Sequence, residues 1–476
     1  MDGPSVGTNR LRSLLADWEA SSAPAYRALA DRLRLLTIDG RVTVGARLPA
    51  ERELSAGLGV SRTTVAAAYA AMRAEGYLES RRGSGSVTRI PGRVSAAPQE
   101  VEGLIDMTRA SMPAPPGLMG ATSRALANLP QHLGDSGYEP VGLPGLRAAI
   151  AERYAVRGLP TSADQILVTT GAQSAIALVA RTLLRRGDRA IAESPSYPHA
   201  FDALRLAGAR VLPVAVTTDG GWDEDAFAGT ARRSAPVLAY LLPDHHNPTG
   251  RTMPADQRER FVALADEFGV TLVVDETTAE LSIEGPPGTP VAAFSSRAES
   301  VVTIGSLAKS VWGGLRIGWI RADPALVRRF VAERSVVDLG TAIIEQLTAL
   351  EILQDMPAVL EHRSVRLRAG RDTMAALLAD RLPEWDVPQV DGGLSFWVHL
   401  GRPVSSQLAM AARSHGVAIA AGPRFGLDGA FERYLRVPFT ADALTLERAA
   451  DGLAAAWHSL DVAPTRAAEP LLSELV

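Results

Sequence analysis

The sequence predicts a two-part α/β protein. A small basic module of three short helices and a two-stranded wing precedes a larger domain, whose mostly parallel sheet carries helices on both faces and ends in a smaller C-terminal α/β subdomain. Three observations predict it. Charge is split: residues 24–93 hold 12 Arg against 6 Asp plus Glu, a net of +6, whereas the 476 residues together sum to −4. A Pro-, Ser-, Ala- and Gln-rich stretch without periodicity, residues 91–102, separates the basic part from the rest. Beyond it, β-like runs at 165–170, 237–242, 271–275 and 301–304 alternate with helical stretches such as 174–184 and 254–268, the pattern of a parallel sheet covered by helices.

The elements of the basic module follow from spacing and caps. Tyr26, Leu29, Leu33 and Leu36 recur at helical intervals until Asp39-Gly40 stops them. Pro49 opens a second helix over 50–58, with Gly59 past its end. Ser61 is the N-cap of a third, whose Val65, Tyr69 and Met72 share one face before Gly76. Residues 77–90 read as two strands around Arg81-Arg82-Gly83-Ser84-Gly85, a basic glycine-rich wing, which makes the module a winged helix-turn-helix. The domain limits expected from this reading are 22–91 for the module, 92–104 for a linker, 105–461 for the larger domain and 462–476 for a tail without structural signal.

Composition narrows the chemistry. There is no cysteine, which excludes disulfides, thiolate metal sites and cysteine nucleophiles. No apolar run reaches the roughly 18–20 residues of a membrane span, and the first 18 residues carry acids, so a cytoplasmic protein without a membrane partner is expected. Of 49 basic residues, 48 are arginine and one, Lys309, is lysine. A position that keeps an amine in so arginine-rich a chain points to chemistry that a guanidinium cannot do, because only the amine deprotonates and forms an imine.

Residues with DNA-directed chemistry cluster at the start of the third helix. Arg62 can reach a guanine bidentately, while Ser61, Thr63, Thr64 and the helix amides suit phosphate; Arg52, Arg81 and Arg82 add cations. The segments Leu48-Pro49-Ala50-Glu51-Arg52-Glu53-Leu54, Gly59-Val60-Ser61-Arg62-Thr63-Thr64-Val65 and Gly76-Tyr77-Leu78 resemble the GntR-type winged helix over about 65 residues. The resemblance implies DNA contacts at Arg52, Ser61, Arg62, Thr63, Thr64 and the wing Gly83.

The larger domain brings anion- and aldehyde-directed groups into order. Lys309 lies between Ser306 and Arg316, which can converge on a phosphate while the amine reaches an aldehyde. Thr170-Gly171-Ala172-Gln173 joins a strand to a helix start and offers backbone N–H groups to an anion. Asp275 ends a strand 28 residues after Asn247, and Lys309 follows 34 residues later. A carboxylate there can hold a pyridine nitrogen protonated, and Asn247 can bond a phenolic oxygen. Together they describe a pocket for pyridoxal 5'-phosphate.

From Tyr138 onward the chain resembles fold-type I aminotransferases, most closely those fused behind a GntR-type winged helix, the MocR subfamily of transcriptional regulators. The resemblance implies an imine at Lys309, Asp275 at the ring nitrogen and Asn247 at the phenolic oxygen. It also implies Gly171, Ala172, Gln173, Ser306 and Arg316 around the phosphate, Tyr197 stacked on the ring, Tyr138 reaching the partner subunit's phosphate in a homodimer, and Arg436 on a substrate carboxylate. One departure stands out: the family's tyrosine two residues after the aspartate is Thr277 here, too short to reach the phenolic oxygen. The expected function is a dimeric regulator that binds a double-stranded operator with paired half-sites and senses pyridoxal phosphate or an amino compound joined to it. The alternative is a working aminotransferase with an accessory winged helix.

Overall fold

The structure, a computed structural model, describes residues 6–15, 18, 24–38, 42, 46–81, 85–89, 103–427 and 429–460. The linker residues 92–102, wing residues 82–84 and tail 461–476 lie outside them.

The N-terminal module packs α1 (Thr8–Leu15), α2 (Ala25–Ile38), α3 (Glu51–Leu58) and α4 (Arg62–Ala74) around one apolar core, with β1 (Leu78–Arg81) and β2 (Gly85–Thr88) as an antiparallel hairpin. Leu29, Leu33 and Leu36 of α2 meet Leu54 of α3 and Val65, Tyr69 and Met72 of α4 in that core. Tyr26, expected on the same face, is exposed instead. The turn between α3 and α4 is set by Gly59 at φ 71°, a left-handed conformation that glycine adopts without steric cost. Helix α1 was not anticipated: it buries Leu11 and Leu15 completely in this core and packs on α3, so the module's core reaches N-terminal to residue 22.

The larger domain opens with β3 (Ile105–Met107), followed by α5 (Leu118–Asn128) and α6 (Pro144–Val156). Its sheet comprises β4 (Ile166–Thr169), β5 (Arg189–Ser194), β6 (Arg210–Thr217), β7 (Gly221–Trp222), β8 (Leu238–Leu241), β9 (Thr271–Asp275), β10 (Val301–Ser306) and β11 (Gly318–Arg321). The strand order is β4-β11-β10-β9-β8-β5-β6-β7. Strands β10, β9, β8, β5 and β6 run parallel, and β11 lies antiparallel to both of its neighbours. The expected strands at 165–170, 237–242, 271–275 and 301–304 are four of these eight. They are buried on both faces, as a sheet sandwiched between helices requires.

Between the strands stand α7 (Ala172–Leu183), α8 (Pro198–Leu206), α9 (Glu224–Ser234), α10 (Ala255–Phe268) and the short α11 (Leu307–Ser310); α12 (Pro324–Arg334) and α13 (Ile343–Gln354) follow the sheet. Helices α7, α8 and α12 fill one face; α5, α6, α9, α10 and α13 fill the other.

A separate core forms where α14 (Met356–Arg381), β12 (Ser395–His399), α15 (Ser405–Ser414), β13 (Val417–Ile419), β14 (Tyr434–Pro438) and α16 (Ala443–Ser459) come together. This smaller subdomain also recruits the start of the domain. Strand β3 pairs in parallel with β13, and Met107, Ala110 and Met112 enter its core. Among the described residues no helix is long and apolar enough to cross a membrane.

Candidate functional site

In an open parallel sheet ligands gather beyond the carboxyl ends of the strands, and the expected side chains lie there. Asp275 ends β9, Asn247 follows β8, Tyr197 follows β5, and Lys309 sits on α11 directly after β10. With Ala172, Gln173, Ser306, Arg316 and Arg436 they line one cavity of about 300 Å³ between the sheet and the smaller subdomain.

The anion-binding corner is built by close backbone approach. Gly171 precedes α7 at φ 103°, and a Cβ there would stand 2.8 Å from Arg316 Nη2. A side chain at Gly318 would stand 2.6 Å from the Gly171 carbonyl carbon, so glycine is required at both positions. Arg316, itself at φ 54°, donates from Nη2 to the Thr170 carbonyl at 2.6 Å and is held beside the start of α7. The Ser306 hydroxyl donates to the Ile317 carbonyl at 3.0 Å and accepts from the Ala308 N–H at 3.1 Å.

Asp275 is 3% exposed. One oxygen accepts from the Tyr240 hydroxyl at 2.7 Å and the other from the Thr277 N–H at 2.9 Å. Burial raises the Asp275 pKa above the ordinary carboxylate value, while these hydrogen bonds favour the ionised form. Burial, with the Asp275 charge nearby, lifts the Tyr197 hydroxyl to about 12. Lys309 Nζ donates to the Ala110 carbonyl at 2.7 Å. Burial, reinforced by the Arg436 charge, pulls the lysine down from 10.5 to about 8. Arg436 is also buried, packs over the Phe425 ring at 4.9 Å and donates from Nη2 to the Thr108 carbonyl at 2.5 Å.

Polar atoms of the pocket lining are buried without a partner, among them Gln173 Oε1 and Arg436 Nε. Such atoms are costly unless a ligand or water meets them. Together with the arginine-bearing corner at the start of α7, a lowered-pKa amine and a buried carboxylate, they fit pyridoxal 5'-phosphate.

Tyr138 is not brought to this cavity; the residue is 65% exposed. At the other end of the chain, the Ser61 hydroxyl caps α4 by accepting from the Thr64 N–H at 3.1 Å. It also bonds the Thr63 and Thr64 hydroxyls at 2.7 and 2.8 Å. Ser61, Arg62, Thr63 and Arg52 are all exposed. Arg81 ends β1; Arg82 and Gly83 lie outside the described residues.

Sequence reasoning missed four residues of the site. Tyr240, the only polar residue of β8, carries the hydroxyl on Asp275, and that isolated polarity in an apolar strand was its one signal. Thr108 and Ala110 act through carbonyls, which no residue type advertises. His245 lines the cavity at φ 44°, bonded to Ser282 and Thr252, its pKa lowered by burial.

Fold and site together define an aminotransferase-type, cofactor-binding domain carried behind a helix-turn-helix. Residues 125–453 match the family described as aminotransferase class I and II, and residues 25–87 match the bacterial regulatory proteins of the gntR family. The "Probable rhizopine catabolism regulatory protein MocR" of Rhizobium meliloti is 31% identical, the match covering 85% of this chain and 87% of that one. The HTH-type pyridoxine biosynthesis transcriptional regulator PdxR of Corynebacterium glutamicum is 28% identical over 79% and 83% of the two chains. Among solved structures, the α-aminoadipate aminotransferase LysN of Thermus thermophilus superposes with a TM-score of 0.69 at 27% identity, covering 77% of this chain and 96% of its own. The chain belongs to the MocR subfamily of GntR-type regulators, with a class I and II aminotransferase domain as its larger part. It is a DNA-binding regulator whose larger domain has the fold that carries pyridoxal 5'-phosphate.

Proposed function

We propose that the protein is a homodimeric transcription factor whose operator affinity responds to pyridoxal phosphate together with an amino compound. The observation that carries this reading is the convergence of the single lysine, the buried Asp275 and two arginines on one cavity in a chain that also presents a DNA-directed helix. When bound, the cofactor supplies an aldehyde for the lysine and an electron-accepting ring. Lys309, largely deprotonated only above pH ~8, is the amine; Asp275, steadied by Tyr240, holds a proton at the ring nitrogen. Arg316, Gly171, Ala172, Gln173 and Ser306 take the phosphate, Tyr197 covers the ring, Asn247 meets the phenolic oxygen, and Arg436 receives a carboxylate.

Exposed Tyr138, beside the loop that carries exposed Val336, Val337 and Leu339, supports a homodimer in which Tyr138 reaches across to the second pocket. Two modules per dimer then read paired half-sites on double-stranded DNA through Arg52, Ser61, Arg62, Thr63, Thr64, Arg81, Arg82 and Gly83. A ligand shifts such binding only through different affinities for two conformations.

A gel-shift series on the chain's own promoter region, with and without pyridoxal phosphate and a panel of amino acids and amines, tests the reading. Ligand-dependent affinity is expected; affinity unchanged across the panel rules out sensing. Turnover is the competing role, favoured by the lysine, aspartate and two arginines that line the cavity, and rapid single-turnover transamination in stopped-flow spectra would establish it. Thr277, standing where the family's tyrosine would meet the phenolic oxygen, weighs toward slow turnover.

A further inference from the structure

Exposed arginines of the larger domain fall into two groups. Arg124, Arg260 and Arg368 each pair with a carboxylate, on Glu351, Glu224 and Glu284 respectively. At the amino ends of β5 and β6 the pattern changes: Arg185, Arg186, Arg189, Arg210, Arg232 and Arg233 are all exposed, and among the described residues none of them forms an ion pair. The backbone draws them to one edge. Arg189 and Arg210 open their strands as direct neighbours in the parallel pairing. The Gly187 N–H donates to the Gly208 carbonyl at 3.0 Å and the Arg210 N–H to the Asp188 carbonyl at 2.8 Å, which sets Arg185 and Arg186 beside β6. Arg189 Nη1 donates to the Ser234 carbonyl at 2.7 Å, and this brings the end of α9, with Arg232 and Arg233, alongside. Asp188 lies within the group, where its carboxylate accepts the Arg185 backbone N–H at 2.7 Å.

A helix dipole accounts for arginines at the end of α9. It does not account for Arg189 and Arg210, which open neighbouring strands, where like charges repel. The edge is also the far end of the sheet from the cofactor cavity, which lies beyond the carboxyl ends of the strands. A chain of contacts leads from it toward the winged helix. The Gly208 N–H donates to the Arg205 carbonyl at 2.9 Å, Arg205 Nη2 donates to the Leu427 carbonyl at 3.5 Å, and Glu432, a few residues on, pairs with Arg32 of α2 at 3.4 Å.

We propose that these six arginines form a second DNA contact, which holds the phosphate backbone of duplex DNA flanking the bound operator and reads no sequence. Guanidinium groups stay charged and match phosphate with paired N–H groups, and backbone contacts add affinity without base information. The winged helix decides for DNA over another polyanion: a duplex already held by that module keeps its flanks at high effective concentration near the larger domain. The inference rests on DNA binding by the winged helix and not on cofactor or ligand sensing.

Fluorescence anisotropy on the full-length protein tests it with two duplexes from the chain's own promoter region. One is trimmed to the bases whose substitution lowers affinity, and the other carries about 20 further base pairs on each side. The longer duplex should bind about tenfold tighter at ~0.1 M salt, with a salt slope steeper by about 5 for each flank held, six phosphates at ~0.9 each. Replacing Arg185→Gln, Arg186→Gln and Arg210→Gln together should remove about half of that added slope. The same triple variant should leave the affinity of the trimmed duplex and the cofactor absorbance unchanged, whereas Arg62→Ala should weaken both duplexes.

Equal affinities and salt slopes for the two duplexes overturn the contact, and so does an equal loss on both in the triple variant. A triple variant that binds both duplexes as the unmodified protein does, yet loses binding of polyglutamate, assigns the patch to an acidic protein and overturns the DNA contact. Should the variant fail to fold, the two duplexes on the unmodified protein decide. If neither duplex binds, this contact falls together with DNA binding by the winged helix. A preserved length dependence with affinity indifferent to every amine and to pyridoxal phosphate defeats the sensor reading and leaves the contact standing.

Discussion

At the start of α4, Ser61, Arg62 and Thr63 stand at the surface with Thr64 half-buried beside them, and the hydroxyls satisfy one another and the helix end. In the cavity of the larger domain the same kinds of group are buried, several polar atoms lack partners, and the amine of Lys309 is pulled down to about 8. Both regions are directed at phosphate-bearing partners, yet water treats them differently. The exposed site gains affinity by releasing counterions from a polyanion, so its strength falls with salt. The buried groups are withdrawn from bulk water, and a ligand there can supply the hydrogen bonds that Gln173 Oε1 and Arg436 Nε lack. One chain thus holds a screened, long-reaching contact and a buried, selective one.

The sharpest break between the two regions is Lys309→Ala. It should eliminate the absorbance near roughly 420 nm expected of lysine-bound cofactor and all pyridoxyl labelling after borohydride reduction. The chain has no second lysine to compete for the label. Loss of lysine-bound cofactor on peptide mapping checks it, and a persisting band would refute the lysine assignment. Next in size, Arg436→Gln should weaken binding of amino acids to the cofactor-loaded protein by ~2 kcal/mol or more, at least about 30-fold, since a buried charged pair loses one partner. Ethylamine binding, followed by the same spectra, should change far less. On the exposed side, Arg62→Ala should cost ~1–3 kcal/mol of operator affinity and leave the cofactor spectrum untouched, measured by fluorescence anisotropy at two salt concentrations.

The two regions were also unequally legible. The helices of the module could be read from apolar spacing at Leu29, Leu33 and Leu36 and from caps at Gly59 and Ser61, because local backbone preferences decide them. Asp275, Asn247 and Lys309 were legible because a polar residue at the end of an apolar strand contrasts with its neighbours. Helix α1 was not legible: eight residues with two buried leucines give too short a period to distinguish from a polar N-terminal segment. Nor was the pairing of β3 with β13, which joins Ile105 to Val417 across the length of the domain. The carbonyls of Thr108 and Ala110, which accept from Arg436 and Lys309, became visible only once that pairing placed them. Long-range contacts made by backbone atoms leave no mark on residue type.

Acidity gives a further contrast. With a pKa of about 8, roughly one Lys309 in ten is neutral at pH 7, against about one in three thousand at the ordinary 10.5. The neutral amine is the form that attacks, so the second-order rate of cofactor incorporation should rise about tenfold per pH unit below 8 and level off above it. The α4 surface presents arginine and hydroxyl groups, with no histidine or lysine among Arg52, Ser61, Arg62, Thr63 and Thr64. Operator affinity of the cofactor-free protein should therefore be nearly flat where incorporation is steep. Stopped-flow absorbance and anisotropy across that range separate the two.

The smallest effect expected is that of Ser61→Ala, and it tests whether the exposed site is held together by its own hydroxyls. The substitution removes the acceptor for the Thr64 N–H and the oxygen that links Thr63 to Thr64. Losing an N-cap serine costs ~1 kcal/mol, and the loss falls on a module whose core is distinct from those of the larger domain. In a chain with separate cores, unfolding need not be a single transition. Calorimetry should therefore show the module's transition shifted down by a few degrees while the larger domain's transition, which cofactor raises, stays in place. A uniform shift of both would mean that the winged helix and the pocket unfold as one unit, and the division between an exposed site and a buried one would then be a difference in exposure without a difference in cooperativity.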